Sequence, residues 1–175
     1  MNLPNLLTSI RIGLIPVFVA FFYWPYLMIP ILPAFVFLAA SLTDLLDGYV
    51  ARRRSQITKL GIIMDPIADK LLVLSALILL VASGRVAAWM AIVIIGREFA
   101  VTGLRAVAAS EGVIIQAERG GKWKVGLQVV AIFLLILHQD ALGNLFLWGA
   151  MILAIVSAYQ YFIQYGRSTG FQKTD

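Results

Sequence analysis

Residues 44–69 read Asp44-Leu45-Leu46-Asp47-Gly48-Tyr49-Val50-Ala51-Arg52, then eight further residues, then Gly61-Ile62-Ile63-Met64-Asp65-Pro66-Ile67-Ala68-Asp69. Four carboxylates stand at the edges of apolar segments. Each would cost roughly 2.5–3.5 kcal/mol at the centre of a membrane helix. Together they repel one another, so they do not all ionise without cations nearby. Hard divalent cations with oxygen ligands are the simplest remedy, and two such ions balance four aspartates.

The rest of the chain makes the setting a membrane. Its 175 residues are 61% hydrophobic and 13% charged, with a mean hydropathy of +0.92. A soluble domain is nearer half apolar, so the expectation is an integral membrane protein forming one helical domain over residues 1–175. The absence of cysteine excludes disulfides and thiolate zinc sites. A net charge of +5 would suit nucleic acid, but basic residues crowding the cytoplasmic side of a membrane account for it more simply. Met1–Asn5 carries no basic stretch and Arg11 interrupts the first apolar run, so no signal peptide is expected.

Reading outward from the acids gives six expected spans: Leu6–Tyr23, Met28–Leu46, Ile62–Ala82, Val86–Val107, Val125–Leu137 and Leu142–Ile163. Short turns at 24–26, 83–85 and 138–140 alternate with polar links at 52–59 and 110–124. If those links and the polar tail from Gly166 are cytoplasmic, 13 of the 14 Lys and Arg lie on that side and only Arg85 does not. This asymmetry predicts six transmembrane helices with both termini cytoplasmic and the aspartates toward the cytoplasmic surface.

The spacing points to one site. Asp44 and Asp47 are three residues apart and Asp65 and Asp69 four, so each pair shares a helix face. Gly48 removes a side chain where a ligand or backbone must come close, and Gly61 does the same or lets helices pack. Arg52, one turn beyond Gly48, is able to grip a phosphate through two bonds. Plainer readings exist for the parts: Asp65-Pro66 as an ordinary helix start, Asp44 and Asp47 as a solvated helix end. They do not explain four acids, two glycines and an arginine in one register.

That register, Asp-x2-Asp-Gly-x2-Ala-Arg-x8-Gly-x3-Asp-x3-Asp, resembles the signature of the CDP-alcohol phosphotransferases at every position: Asp44, Asp47, Gly48, Ala51, Arg52, Gly61, Asp65 and Asp69. The resemblance implies six transmembrane helices, two divalent cations (Mg²⁺, or Mn²⁺) held by the four aspartates, Asp69 as general base, and cytidine diphosphate lying along the first three helices. It also implies a homodimer and the bacterial inner, cytoplasmic membrane. Asn5, Thr8 and Arg11 resemble the family's Asn-x2-Thr-x2-Arg pattern that meets the nucleotide, and occupy a sector of about 120° on one helix. Thr58 stands where the family places a small hydroxyl near the phosphates. Ordinary alternatives are a satisfied hydroxyl for Thr8, a snorkelling side chain for Arg11 and loop polarity for Thr58.

The second half bears on the acceptor. Arg97-Glu98 with Gly103-Leu104-Arg105, and Gly121-Lys122-Trp123-Lys124 with Gln128, resemble runs found in bacterial members that take glycerol 3-phosphate and make phosphatidylglycerophosphate. Val125 departs from the Thr common there. By this resemblance Arg105, Lys122 and Lys124, with Arg97 as a fourth, would hold the acceptor phosphate, and CDP-diacylglycerol would be the donor. The plainer readings are anionic-lipid contact for the lysines and an Arg97–Glu98 pair within the bundle. A sibling enzyme with serine, inositol phosphate or phosphatidylglycerol as acceptor is the near alternative. The distant one is a cation transporter, which would want acids near the midplane and broken, repeated helices.

Overall fold

Phe18 on the first helix meets Phe37 on the second, their ring centroids 5.9 Å apart. This contact fixes the pairing of the first helical hairpin. The computed structural model describes the backbone of residues 3–24, 30–54, 59–112 and 120–172, and the side chains of 9–24, 30–43, 67, 68, 70–112 and 124–167. Six helices make up the described chain: α1 (Leu3–Tyr23), α2 (Ile31–Arg54), α3 (Lys59–Ala82), α4 (Ala88–Ser110), α5 (Gly120–Ile136) and α6 (Asp140–Gln172). No strand occurs among the described residues. The fold is all-helical, with the six elements in the order expected.

Several boundaries differ from the sequence reading: α1 begins at Leu3, α2 at Ile31 and α3 at Lys59, α4 spans Ala88–Ser110, and α6 starts at Asp140 and continues through the expected polar tail to Gln172. Hydrophobicity ends near Leu46, but α2 runs on to Arg54, because Ala51 and three arginines are good helix formers whatever surrounds them. α5 begins at Gly120, despite the low helix propensity of Gly120 and Gly121, so Gly120–Lys124 is helical and not part of a link. Asp44 and Asp47 therefore stand well inside α2.

α3 and α5 stop in the same way. Arg85 N–H bonds the Leu80 carbonyl and Gln139 N–H the Leu134 carbonyl, both at 2.9 Å. The residue before each donor is left-handed, Gly84 at φ 72° and His138 at φ 65°, as this helix-ending motif requires. The two turns are then pinned together. Arg85 Nη1 donates to the Leu135 carbonyl at 3.3 Å and to Asp140 Oδ1 at 3.1 Å, and Asn144 Nδ2 donates to the Arg85 carbonyl at 3.2 Å.

Further along, Arg97 reaches Ala154 and Ser157, and Tyr165 reaches Glu111. The order of contacts rises together along both helices, so α4 and α6 run parallel, with α5 antiparallel between them in the chain. α1 packs on α2 and α3, and α5 packs on α2, α3 and α6. One buried cluster draws on all six helices, including Phe18, Phe37, Leu77, Ile94, Leu135 and Leu147.

The α5–α6 packing rests on a glycine. A Cβ built on Gly143 would lie 2.6 Å from Leu135 Cγ and 3.0 Å from the Leu135 backbone nitrogen. The backbone cannot yield as a side-chain tip would. Gly143→Ala is expected to destabilise the fold by about 1–3 kcal/mol, the usual cost of overpacking, read as a lower melting midpoint in detergent.

Many large apolar side chains stand on the outside of the bundle. Ile92 is 69% exposed and Leu145 67%, and Phe35, Ile78, Phe99 and Ile152 are each more than half exposed. Soluble monomers rarely show contiguous apolar surface on this scale. Trp24, Trp89 and Trp148 lie half-exposed toward the end that carries the pinned turns, the latter two edge to face at 5.3 Å. Among the described residues the stretch Asp140–Arg167 of α6, with mean hydropathy 1.9, is long and apolar enough to cross a membrane. Ser9–Tyr23, Ile31–Thr43, Lys70–Ala82 and Lys124–Ile136 are shorter apolar stretches.

Candidate active site

The stripes that carry the hydrophobic core turn polar toward the end away from the pinned turns. On α1, Phe18 is followed seven residues back by Arg11, which is fully buried and engaged in a polar interaction. Seven residues is two helical turns, so both share one face. On α2, positions 44 and 47 follow Phe37 and Ala40 by seven. On α3, positions 65 and 69 precede Leu72 and Ala76 by seven. Since Phe18 pairs with Phe37, equal steps along both helices bring positions 11 and 44 to one level.

The other helices follow suit. α4 passes from buried Ile94 to Arg97 and Glu98, α5 from Ile132 to Gln128 and Lys124, and α6 from Ala154 to Ser157. Arg11, Ser41, Lys124, Gln128 and Ser157 are the buried polar or charged residues among those described. A common depth unites the layer. Thirteen residues separate Trp24 from Arg11, Ile31 from Asp44, Ala82 from Asp69, Arg85 from Glu98 and Asn144 from Ser157; eleven separate Leu135 from Lys124. At 1.5 Å per residue, that is roughly 16–20 Å from the turns.

Within the layer the second half forms a hydrogen-bonded network. Arg97 Nε donates to the Ala154 carbonyl at 2.9 Å, Nη2 to Ser157 Oγ at 2.8 Å, and Nη1 to Glu98 Oε1 at 3.1 Å. Lys124 Nζ bonds the same Oε1. The Glu98 carboxylate thereby ties α4 to α5, and the Arg97 guanidinium that bonds it ties α4 to α6.

The sequence-predicted residues fall into three groups. Arg11, Arg97 and Lys124 lie in the layer, with Arg97 committed to α6 and to Glu98. Arg105 stands exposed on α4, one turn past buried Val101, with no hydrogen bond or ion pair to the described residues. The backbones of Asn5, Thr8, Asp44, Asp47, Gly48, Ala51, Arg52, Gly61, Asp65, Asp69 and Lys122 are helical, but their side chains lie outside the described residues, and Thr58 lies outside them altogether. Val125 is exposed, so the departure there removes no hydroxyl from the interior.

Ser157 was not legible as a site residue. The only signal was one hydroxyl in phase with Met151 and Ala154 on an apolar helix. Among described side chains no group of three His, Cys, Asp or Glu is placed to hold a metal. The candidate donor set from the sequence is the four aspartates, whose side chains lie outside the described residues; carboxylates are the hard oxygen ligands that a divalent cation of the Mg²⁺ class takes.

An all-helical bundle whose inward stripes end in this acid register defines a class, and comparison agrees. The chain belongs to the CDP-alcohol phosphatidyltransferase family, whose model matches residues 1–156. It is similar to the CDP-diacylglycerol–glycerol-3-phosphate 3-phosphatidyltransferase of Bacillus subtilis, 44% identical over 180 residues, covering 92% of this chain and 93% of the relative. The proteins of that name from Rickettsia typhi and Pseudomonas fluorescens are 40% and 41% identical, each over 92% of this chain and over 95% and 88% of their own lengths.

Proposed function

We propose that the chain transfers the phosphatidyl group of CDP-diacylglycerol to sn-glycerol 3-phosphate, giving phosphatidylglycerophosphate and CMP in phospholipid biosynthesis. The observation that supports this is the polar layer: the backbone positions 44 and 69 that bear the acid register lie at about the depth of the Arg97–Glu98–Lys124 network. Relatives named for this reaction match both halves over about 92% of the chain.

In this reading the bundle crosses the bacterial inner membrane with both termini cytoplasmic, and the apolar exterior faces acyl chains. The donor stays in the bilayer while its head enters between α1, α2 and α3. Asn5, Thr8, Arg11, Gly48, Arg52 and Gly61 hold the nucleotide and diphosphate. Asp44, Asp47, Asp65 and Asp69 would hold two divalent cations, which when bound supply positive charge to the diphosphate. Asp69 takes the proton from the acceptor hydroxyl. That oxygen attacks the phosphorus bearing the diacylglycerol, the bond from this phosphorus to the bridging oxygen breaks, and CMP leaves with its electron pair.

Purified protein in detergent, given CDP-diacylglycerol and each candidate acceptor in turn, is expected to release CMP with glycerol 3-phosphate. Turnover with serine and not with glycerol 3-phosphate would overturn the acceptor. No CMP release with any acceptor would overturn the reaction.

Arg105 is exposed in the second half of α4, and in this reading it meets the soluble acceptor. Arg105→Gln is expected to raise the KM for glycerol 3-phosphate about 10- to 100-fold, the cost of one charged hydrogen bond, and to lower kcat. The KM for CDP-diacylglycerol should hardly move. Steady-state kinetics with each substrate varied would check this, and a donor defect would remove Arg105 from the acceptor site.

A further inference from the structure

Sequence resemblance makes Arg97 a phosphate anchor like Lys124, but the geometry gives the two residues different work. Arg97 spends Nε, Nη1 and Nη2 on Ala154, Glu98 and Ser157, and its side chain is only 9% exposed. A guanidinium tied on three sides to a neighbouring helix and its own carboxylate is a fixture. What it fixes is Glu98, whose Oε1 accepts from Arg97 and from Lys124 together. We infer that Glu98, held by Arg97, is a positioning residue of the acceptor site: it fixes the ammonium of Lys124 at the depth of Asp69. This rests on the proposed acceptor and deepens it.

The physical reason is the freedom of lysine. Its charge rides on a flexible four-carbon stem carrying about 2 kcal/mol of rotamer entropy. A cation free to wander would have to be ordered by each arriving substrate, weakening binding and loosening the acceptor hydroxyl. Lys124 is 4% exposed and already ordered by Glu98. It belongs to the same layer as position 69, where the hydroxyl must give up its proton. An acceptor reaching both points is selected by the distance between its phosphate and its hydroxyl.

A network that merely holds α4, α5 and α6 together would look alike in a static view, so the test must separate positioning from support. Glu98→Gln keeps shape and hydrogen-bonding capacity while removing the charge that holds Lys124. It is expected to raise the KM for glycerol 3-phosphate about tenfold or more, with the KM for CDP-diacylglycerol within about twofold of wild type. The double variant Glu98→Gln, Lys124→Gln is expected to be no worse than Lys124→Gln alone, because one residue acts through the other. Additive effects on that KM, or equal loss toward both substrates, would overturn the inference. Should Glu98→Gln fail to fold, Glu98→Asp supplies the same cycle by drawing the carboxylate back. A wild type that ignores glycerol 3-phosphate would sink the proposed acceptor and this inference with it. A wild type that uses it while the cycle is additive sinks this inference alone.

Discussion

Asp69→Asn is expected to lower kcat about 10²–10⁴-fold, the range spanned by loss of a general base. The substitution keeps an oxygen in nearly the same place and removes the basic lone pair. Position 69 lies on the inward stripe of α3, one heptad from buried Ala76, at the depth of the Glu98–Lys124 pair. In the proposed reading a base there would serve an acceptor held by α4 and α5 and a donor held by α1 and α2. Binding of CDP-diacylglycerol should fall far less than turnover. Titration calorimetry on the variant checks this, and donor binding lost in parallel with kcat would assign Asp69 to holding a cation and not to moving a proton.

The second large effect is expected at the remaining acids. Asp44→Ala, Asp47→Ala and Asp65→Ala should each abolish measurable turnover. In the proposed two-cation reading each would remove one hard oxygen donor from the set that holds the ions and offsets the acids' mutual repulsion. Wild-type activity should disappear on chelation and return with Mg²⁺. The alanine variants should stay inactive at any Mg²⁺ concentration that leaves the protein soluble. Any one of them that kept the wild-type rate and the wild-type Mg²⁺ dependence would lose its place in the cation site.

Much of the architecture was legible because it follows from periodicity and charge. Six apolar runs became six helices in the order expected, and the heptad steps that join Phe37 to Asp44 and Asp69 to Ala76 are present in the bare sequence. What periodicity lacks is the offset between one helix and the next. Arg97 reads as a free cation until α6 is slid alongside α4 with Ala154 and Ser157 opposite it. Ser157 reads as nothing until Arg97 arrives. The end of α2 was misjudged for a different reason: an apolar run measures how far a helix is covered, whereas its length is set by backbone propensity, and Ala51–Arg54 keep the helix going after the covering stops.

The length of α6 has a practical consequence. Its 33 residues make a rod of about 50 Å, longer than the roughly 30 Å hydrocarbon core of a bilayer. Near its far end Tyr165 Oη donates to Glu111 Oε2 at 2.8 Å, bracing the rod against the end of α4. With the bundle in a bilayer as proposed, a fluorescent protein joined to α6 would ride on a stiff post, turning as the enzyme turns. Such a fusion would report orientation by polarised light, where the same tag on a loose tail would report only abundance.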